Sequence, residues 1–112
     1  MKNLQEDYPL LVAQEGPLKG QRWPVSQTIV LGRESTCDVV VSDRQISRYH
    51  ARLTPTPEGV ILEDLGSKNG TYLRGQAVTS PTPLTDGDQI RIGAFELTFR
   101  SLTGPGSTET QQ

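Results

Sequence analysis

The chain has little material for a thick core: of its 112 residues 33% are apolar and 5% aromatic, with one Trp and two Phe. A thin core assembled from alternating apolar positions is therefore expected, which favours β structure over a helical bundle. Cysteine is nearly absent as well. Cys37 stands alone, so no internal disulfide can form, and no Cys or His cluster has metal-ligand spacing, which leaves neither a structural metal nor another cofactor to expect. No apolar run approaches the roughly 18 residues of a membrane span, and the N-terminus lacks the basic start and apolar middle of a signal peptide. A soluble, cytoplasmic chain without membrane contact is expected, whether whole or a piece of a larger protein. An excess of positive charge is missing too, since 11 Lys and Arg face 13 Asp and Glu for a net charge of −2. A general nucleic-acid binder needs a broad basic surface that releases counterions, so that class is disfavoured and any anion site must be local.

What is present is short and regularly punctuated. About eight segments read as strands: Leu10 to Ala13, Gln21 to Val25, Thr28 to Leu31, Val39 to Val41, Tyr49 to Leu53, Val60 to Glu63, Gln89 to Ile92 and Phe95 to Arg100. Alternation puts Tyr49, Ala51 and Leu53 on a core face opposite His50 and Arg52, and Phe95, Leu97 and Phe99 opposite Glu96 and Thr98. No stretch of ten residues keeps a helical apolar period, and Gly or Pro recurs throughout. The expected fold is all-β, an antiparallel β-sandwich of two twisted sheets with its ligand loops at one end. One domain is expected over residues 8–102, between a polar N-terminal segment, 1–7, and a tail, 103–112, that has no apolar residue to offset its ordering entropy.

Three signatures follow one another: Gly32-Arg33, then Ser47-Arg48-Tyr49-His50, then Asp64-Leu65-Gly66-Ser67-Lys68-Asn69-Gly70-Thr71. Each lies where a predicted strand meets a loop, so strand ends can gather them around an anion. Arg33 offers five donors in a planar fork that suits two oxygens of a phosphate, although alone it reads first as a surface arginine in a salt bridge. The Ser47 hydroxyl can donate to a phosphate oxygen, and Arg48 beside it adds charge. A hydrolytic triad of Ser47, His50 and Asp64 is the weaker reading, because no strained elbow or oxyanion hole is evident. A histidine that braces the Ser47 loop is the better one, with its ring on the side of Arg48 and away from the core face of Tyr49. Asn69-Gly70 is a hairpin signal in its own right, yet the Asn69 amide can also donate to and accept from a peptide backbone.

With the later run Leu84-Thr85-Asp86-Gly87-Asp88-Gln89-Ile90-Arg91-Ile92-Gly93, these signatures resemble those of the forkhead-associated (FHA) domain family, phosphothreonine-peptide-binding sandwiches of signalling proteins. The resemblance covers Leu10 to Leu102. It implies about eleven strands, more than the pattern of the sequence reveals. It also implies a binding module, not an enzyme, whose partner is a phosphothreonine-containing protein or peptide with a Ser/Thr protein kinase upstream. Position by position, Arg33 and Ser47 would contact the phosphate, with Arg48 reaching the phosphate or the peptide backbone. Asn69 would hold the ligand backbone, with Ser67 and Lys68 contacting that backbone beside it, although Lys68 stands where many members carry a small hydroxyl residue. His50 would brace the serine loop, and Gly32 and Gly70 would let the loops turn, with Thr71 completing that scaffold. Selection of the residue three positions after the phosphothreonine would fall to Asp43-Arg44-Gln45-Ile46, where Arg44 suits an acid and Gln45 or Ile46 suits other choices.

A different class stays open, a phospho-independent structural or oligomerisation module built on the same sandwich. For the phosphate reader, a monomer is expected. The tail reads as a linker, and the alternative is that phosphorylated Thr110, near Glu109 and Thr108, docks in this site or in that of another copy.

Overall fold

A computed structural model describes residues 8–101; the terminal segments 1–7 and 102–112, and with them the docking idea for Thr108 and Thr110, lie outside the described residues. Eleven strands follow in order: β1 (Leu10–Val12), β2 (Arg22–Pro24), β3 (Ile29–Gly32), β4 (Val39–Val40), β5 (Ala51–Thr56), β6 (Gly59–Asp64), β7 (Thr71–Leu73), β8 (Gln76–Ala77), β9 (Thr82–Pro83), β10 (Gln89–Ile92) and β11 (Phe95–Arg100). They form a six-stranded sheet in the order β2-β1-β11-β10-β7-β8 and a five-stranded sheet in the order β4-β3-β5-β6-β9. Every described pairing is antiparallel except that of β3 with β4, so the expected antiparallel sandwich is mixed at one edge. The loop from Gly32 to Val39 makes that parallel step, which carries Arg33 out of the sheet.

Apolar residues fill the space between the sheets. Cross-strand partners share a face, so Leu11 and Phe99 meet from one sheet while Leu53 and Leu62 meet from the other, all of them buried. β7, β8 and β9 escape the sequence pattern because none exceeds three residues and, unlike the equally short β1 and β4, none is a continuous aliphatic run. A two-residue turn joins β7 to β8, with φ of 52° at Arg74 and 81° at Gly75, and it aims the Arg74 guanidinium at the buried Asp88. The pair is bidentate, Nε to Oδ1 at 2.9 Å and Nη2 to Oδ2 at 2.7 Å, and Asp88 Oδ2 also accepts from Thr85 N at 2.8 Å. That carboxylate is the structural reason for the Leu84 to Asp88 run. Thr98, expected on the outer face, is buried instead, and its hydroxyl donates to Gln14 Oε1 at 3.2 Å.

Register places the site. Leu31 near the end of β3 pairs with Ala51 at the start of β5, and Ala51 pairs with Asp64 at the end of β6. Three loops therefore leave one end of the sandwich together.

Candidate functional site

Those loops comprise residues 33–38, 41–50 and 65–70. The first two are joined through the backbone, Arg33 N donating to Ser47 O at 3.1 Å and Glu34 N to Arg48 O at 3.2 Å. Gly32 permits this approach. A Cβ there would stand 2.1 Å from the Arg48 carbonyl oxygen and 2.9 Å from Cys37 Sγ, while its own φ is not positive. The role implied for Gly32, letting a loop turn, is thus replaced by close packing of one loop on another. Gly70 does need its conformation, with a φ of +91°.

Strand alternation misplaces two neighbours. β5 begins at Ala51, so residues 47–50 are loop and the period of two does not extend to them. Tyr49 is 50% exposed, not on the core face, and His50 is wholly buried. A buried imidazole needs both nitrogens satisfied. Nδ1 accepts from Ser47 N at 3.1 Å and Nε2 lies 2.9 Å from Gly70 O. An amide only donates and a carbonyl only accepts, so the neutral ring carries its proton on Nε2 and ties the second loop to the third.

The third loop is organised by Asp64, which opens the third signature but has no bracing role in the pattern of the sequence. Its Oδ2 accepts from Gly66 N and Ser67 N, both at 3.0 Å, and its Oδ1 accepts from the Ser67 and Thr71 hydroxyls, both at 2.6 Å. Ser67 Oγ in turn accepts from Gly70 N at 2.9 Å, so that hydroxyl is engaged inside the loop. The signal was available in the spacing, since an aspartate two and three residues before Gly-Ser is an Asx-turn pattern.

Burial raises the Asp64 carboxyl, but the hydrogen bonds from the Ser67 and Thr71 hydroxyls and the Ser67 amide outweigh it and hold the group below its ordinary value. A depressed folded-state value means stability that is complete above the unfolded value of about 3.9 and is lost as pH falls through the folded one. Asp64→Asn is expected to melt below the wild type at pH 7 by an amount equivalent to about 1.5–3 kcal/mol, with the gap closing as pH falls from about 5 to 3. Thermal melts across that range test it, and a gap that stays constant would contradict it.

Further ties complete the end of the sandwich. Ser47 Oγ accepts from Lys68 N at 2.9 Å, Asn69 Nδ2 donates to Gln45 O at 2.9 Å, and Arg33 Nε donates to Ile46 O at 3.0 Å. Several polar groups remain unused among the described residues: the two terminal nitrogens of Arg33, the Ser47 hydroxyl hydrogen, Asn69 Oδ1, and the exposed side chains of Arg48 and Lys68. All sit on the joined loops. Cys37, buried beneath them, donates its thiol to Arg48 O at 3.3 Å; burial raises its pKa, and the carboxylates of Asp38 and Glu34 add to that against an opposing backbone hydrogen bond. A surface groove lined by Arg52, Glu63 and residues 78–81 reaches only the root of the third loop. Among the described residues no group of His, Cys, Asp and Glu could hold a metal, and no helix is long and apolar enough to cross a membrane.

The FHA domain family model matches residues 29–93, more than half of the chain. The glycogen accumulation regulator GarA of Mycolicibacterium smegmatis is 36% identical over 111 residues, covering 98% of this chain and 68% of the relative. GarA of Mycobacterium tuberculosis is 39% identical over 101 residues, covering 89% of this chain and 60% of that one, so the chain spans only part of the length of these relatives. Among solved structures, Mycobacterium tuberculosis EmbR in complex with a low-affinity phosphopeptide superposes with a TM-score of 0.76 at 29% identity, over 84% of this chain and 24% of EmbR. A chain solved in a study of phosphothreonine-dependent FHA domain interactions superposes with a TM-score of 0.75 at 28% identity, over 83% and 95% of the two chains.

Proposed function

The chain belongs to the FHA domain family, and on that premise we propose that it is a phosphothreonine-dependent binding module that takes its ligand from the output of a Ser/Thr protein kinase. One observation carries this reading: Arg33 is fixed at Ser47 O and Ile46 O, on the loop that carries the Ser47 hydroxyl, with its terminal donors still free among the described residues. A phosphate of about −1.5 to −2 charge takes such a fork and hydroxyl together. Arg48 and Lys68 add positive charge at the rim. Asn69, braced on Gln45, offers its Oδ1 and second amide hydrogen to the ligand backbone. Ser67 acts through the loop it closes, and Thr71, Gly70, Gly32 and His50 support the geometry. EmbR, solved with a phosphopeptide, and the FHA domain studied for phosphothreonine-dependent interactions lend the ligand class.

Catalysis is not part of the proposal. His50 takes the amide of Ser47, not its hydroxyl, and the Asp64 carboxylate is engaged with residues 66, 67 and 71, so no side-chain relay runs through the three. The module acts as a cytoplasmic monomer, without a cofactor and without nucleic acid.

Titrating phosphothreonine, phosphoserine and unmodified versions of one peptide tests the reading. The phosphothreonine form is expected to bind best, and loss of the phosphate should weaken binding by about a hundredfold or more, the scale of two charged hydrogen bonds. Equal binding of the modified and unmodified forms would favour the phospho-independent module instead.

A further inference from the structure

We infer that Tyr49 is a second point of ligand contact, its ring receiving an apolar or aromatic side chain that flanks the phosphothreonine on the side away from Asn69. The inference rests on the phosphothreonine reading above. Tyr49 and Tyr8 are the exposed large apolar side chains among the described residues. A solitary exposed ring needs no explanation by itself. What sets Tyr49 apart is where and how it is held.

Its hydroxyl lies 3.2 Å from Thr36 Oγ1, which ties the ring to the loop that begins with Arg33. The same two loops are joined beneath it by the Arg33 N to Ser47 O and Glu34 N to Arg48 O bonds. Phosphate donors and aromatic ring therefore belong to one rigid frame, and a ring fixed in advance loses little freedom on contact. Along the chain Ser47 lies midway between Gln45, to which Asn69 is tied, and Tyr49. On the proposed reading, a peptide with its backbone at Asn69 and its phosphate at Ser47 would reach the ring because Tyr49 is tied to the same two loops that carry Arg33 and Ser47. There it would meet a flat face with a polar tip, on the residue that follows the exposed Arg48. Such a face packs an apolar or aromatic flank, while the neighbouring positive charge disfavours a basic one.

The test uses the chain as it is and three phosphothreonine peptides: a short one with glycine on either side of the phosphothreonine, and two extended by Leu and Phe, one towards each terminus. In the wild type, one extension is expected to raise affinity by about five- to tenfold, the scale of one aromatic contact. Tyr49→Ala should lose that gain while binding the short peptide within about twofold of wild type, and Tyr49→Phe should keep most of the gain. Neither extension raising affinity, or Tyr49→Ala retaining the gain, would overturn the inference and leave the phosphothreonine reading standing. Failure of all three peptides to bind would overturn that reading and this inference with it. Amide spectra and melts check folding, and Tyr49→Lys replaces the alanine variant if it unfolds, with the same loss expected.

Discussion

Arg33→Ala is expected to weaken a phosphothreonine peptide by about a hundredfold or more in isothermal titration while the thermal melt falls by only a few degrees. The side chain has two separable jobs. Its Nε donates to Ile46 O at 3.0 Å and helps to fix the 41–50 loop, a bond on an exposed residue that contributes about 1 kcal/mol. Its terminal nitrogens are the donors proposed for the phosphate, and removing one partner of a desolvated, hydrogen-bonded charge pair costs about 2–5 kcal/mol, much of it because the other charge is left unmatched. Binding must therefore fall much further than stability. Arg33→Lys separates charge from shape: an ammonium keeps the point charge and loses both the fork and the Ile46 tie, so an intermediate loss of about tenfold is expected. Unchanged titration of Arg33→Ala would remove the residue from the site. A large drop in melting temperature with a matching loss of binding would make it a residue of the scaffold alone.

The groups proposed for the ligand can be nominated from the sequence because each is a polar residue in or beside a loop between predicted strands, and the structure joins those loops. What supports them was less legible. His50 was misplaced because the period of two was carried back past Ala51, where the backbone has already left the strand. Its burial follows from bonds to Ser47 and Gly70, residues 3 and 20 positions away, and the second of these is a separation that no local pattern encodes. Asp64 was readable as a turn residue, yet its hydroxyl partners at Ser67 and Thr71 emerge only when the loop closes. The strands β7 to β9 are hidden for a simpler reason, since two or three residues cannot display a period and these lack the aliphatic runs that mark β1 and β4. Their place is set by neighbours: β7 is held by pairing with β10, and Arg74 on the turn after it is held by Asp88.

Gly32→Ala is expected to be the most damaging of the conservative changes, lowering stability by about 3 kcal/mol or more and the melt by ten degrees or more. In a strand, alanine would ordinarily gain about 0.5–1 kcal/mol by restricting the unfolded chain. Here the added methyl would stand 2.1 Å from the Arg48 carbonyl oxygen and 2.8 Å from its carbon, both backbone atoms that no rotamer change can withdraw. Relief requires the loops to part. That breaks the Glu34 N to Arg48 O bond and the Cys37 thiol contact on the same oxygen, and it strains the Arg33 N to Ser47 O bond next to them. Because Arg33 and Ser47 sit on those two loops, phosphothreonine binding should fall even at temperatures where the variant is still folded. The outcome differs from that of Arg33→Ala in kind, with stability and affinity lost together. A melt equal to the wild type would show that the loops do not approach as closely as the geometry at Gly32 requires, and a lowered melt with intact affinity would separate the packing of these loops from the phosphate site.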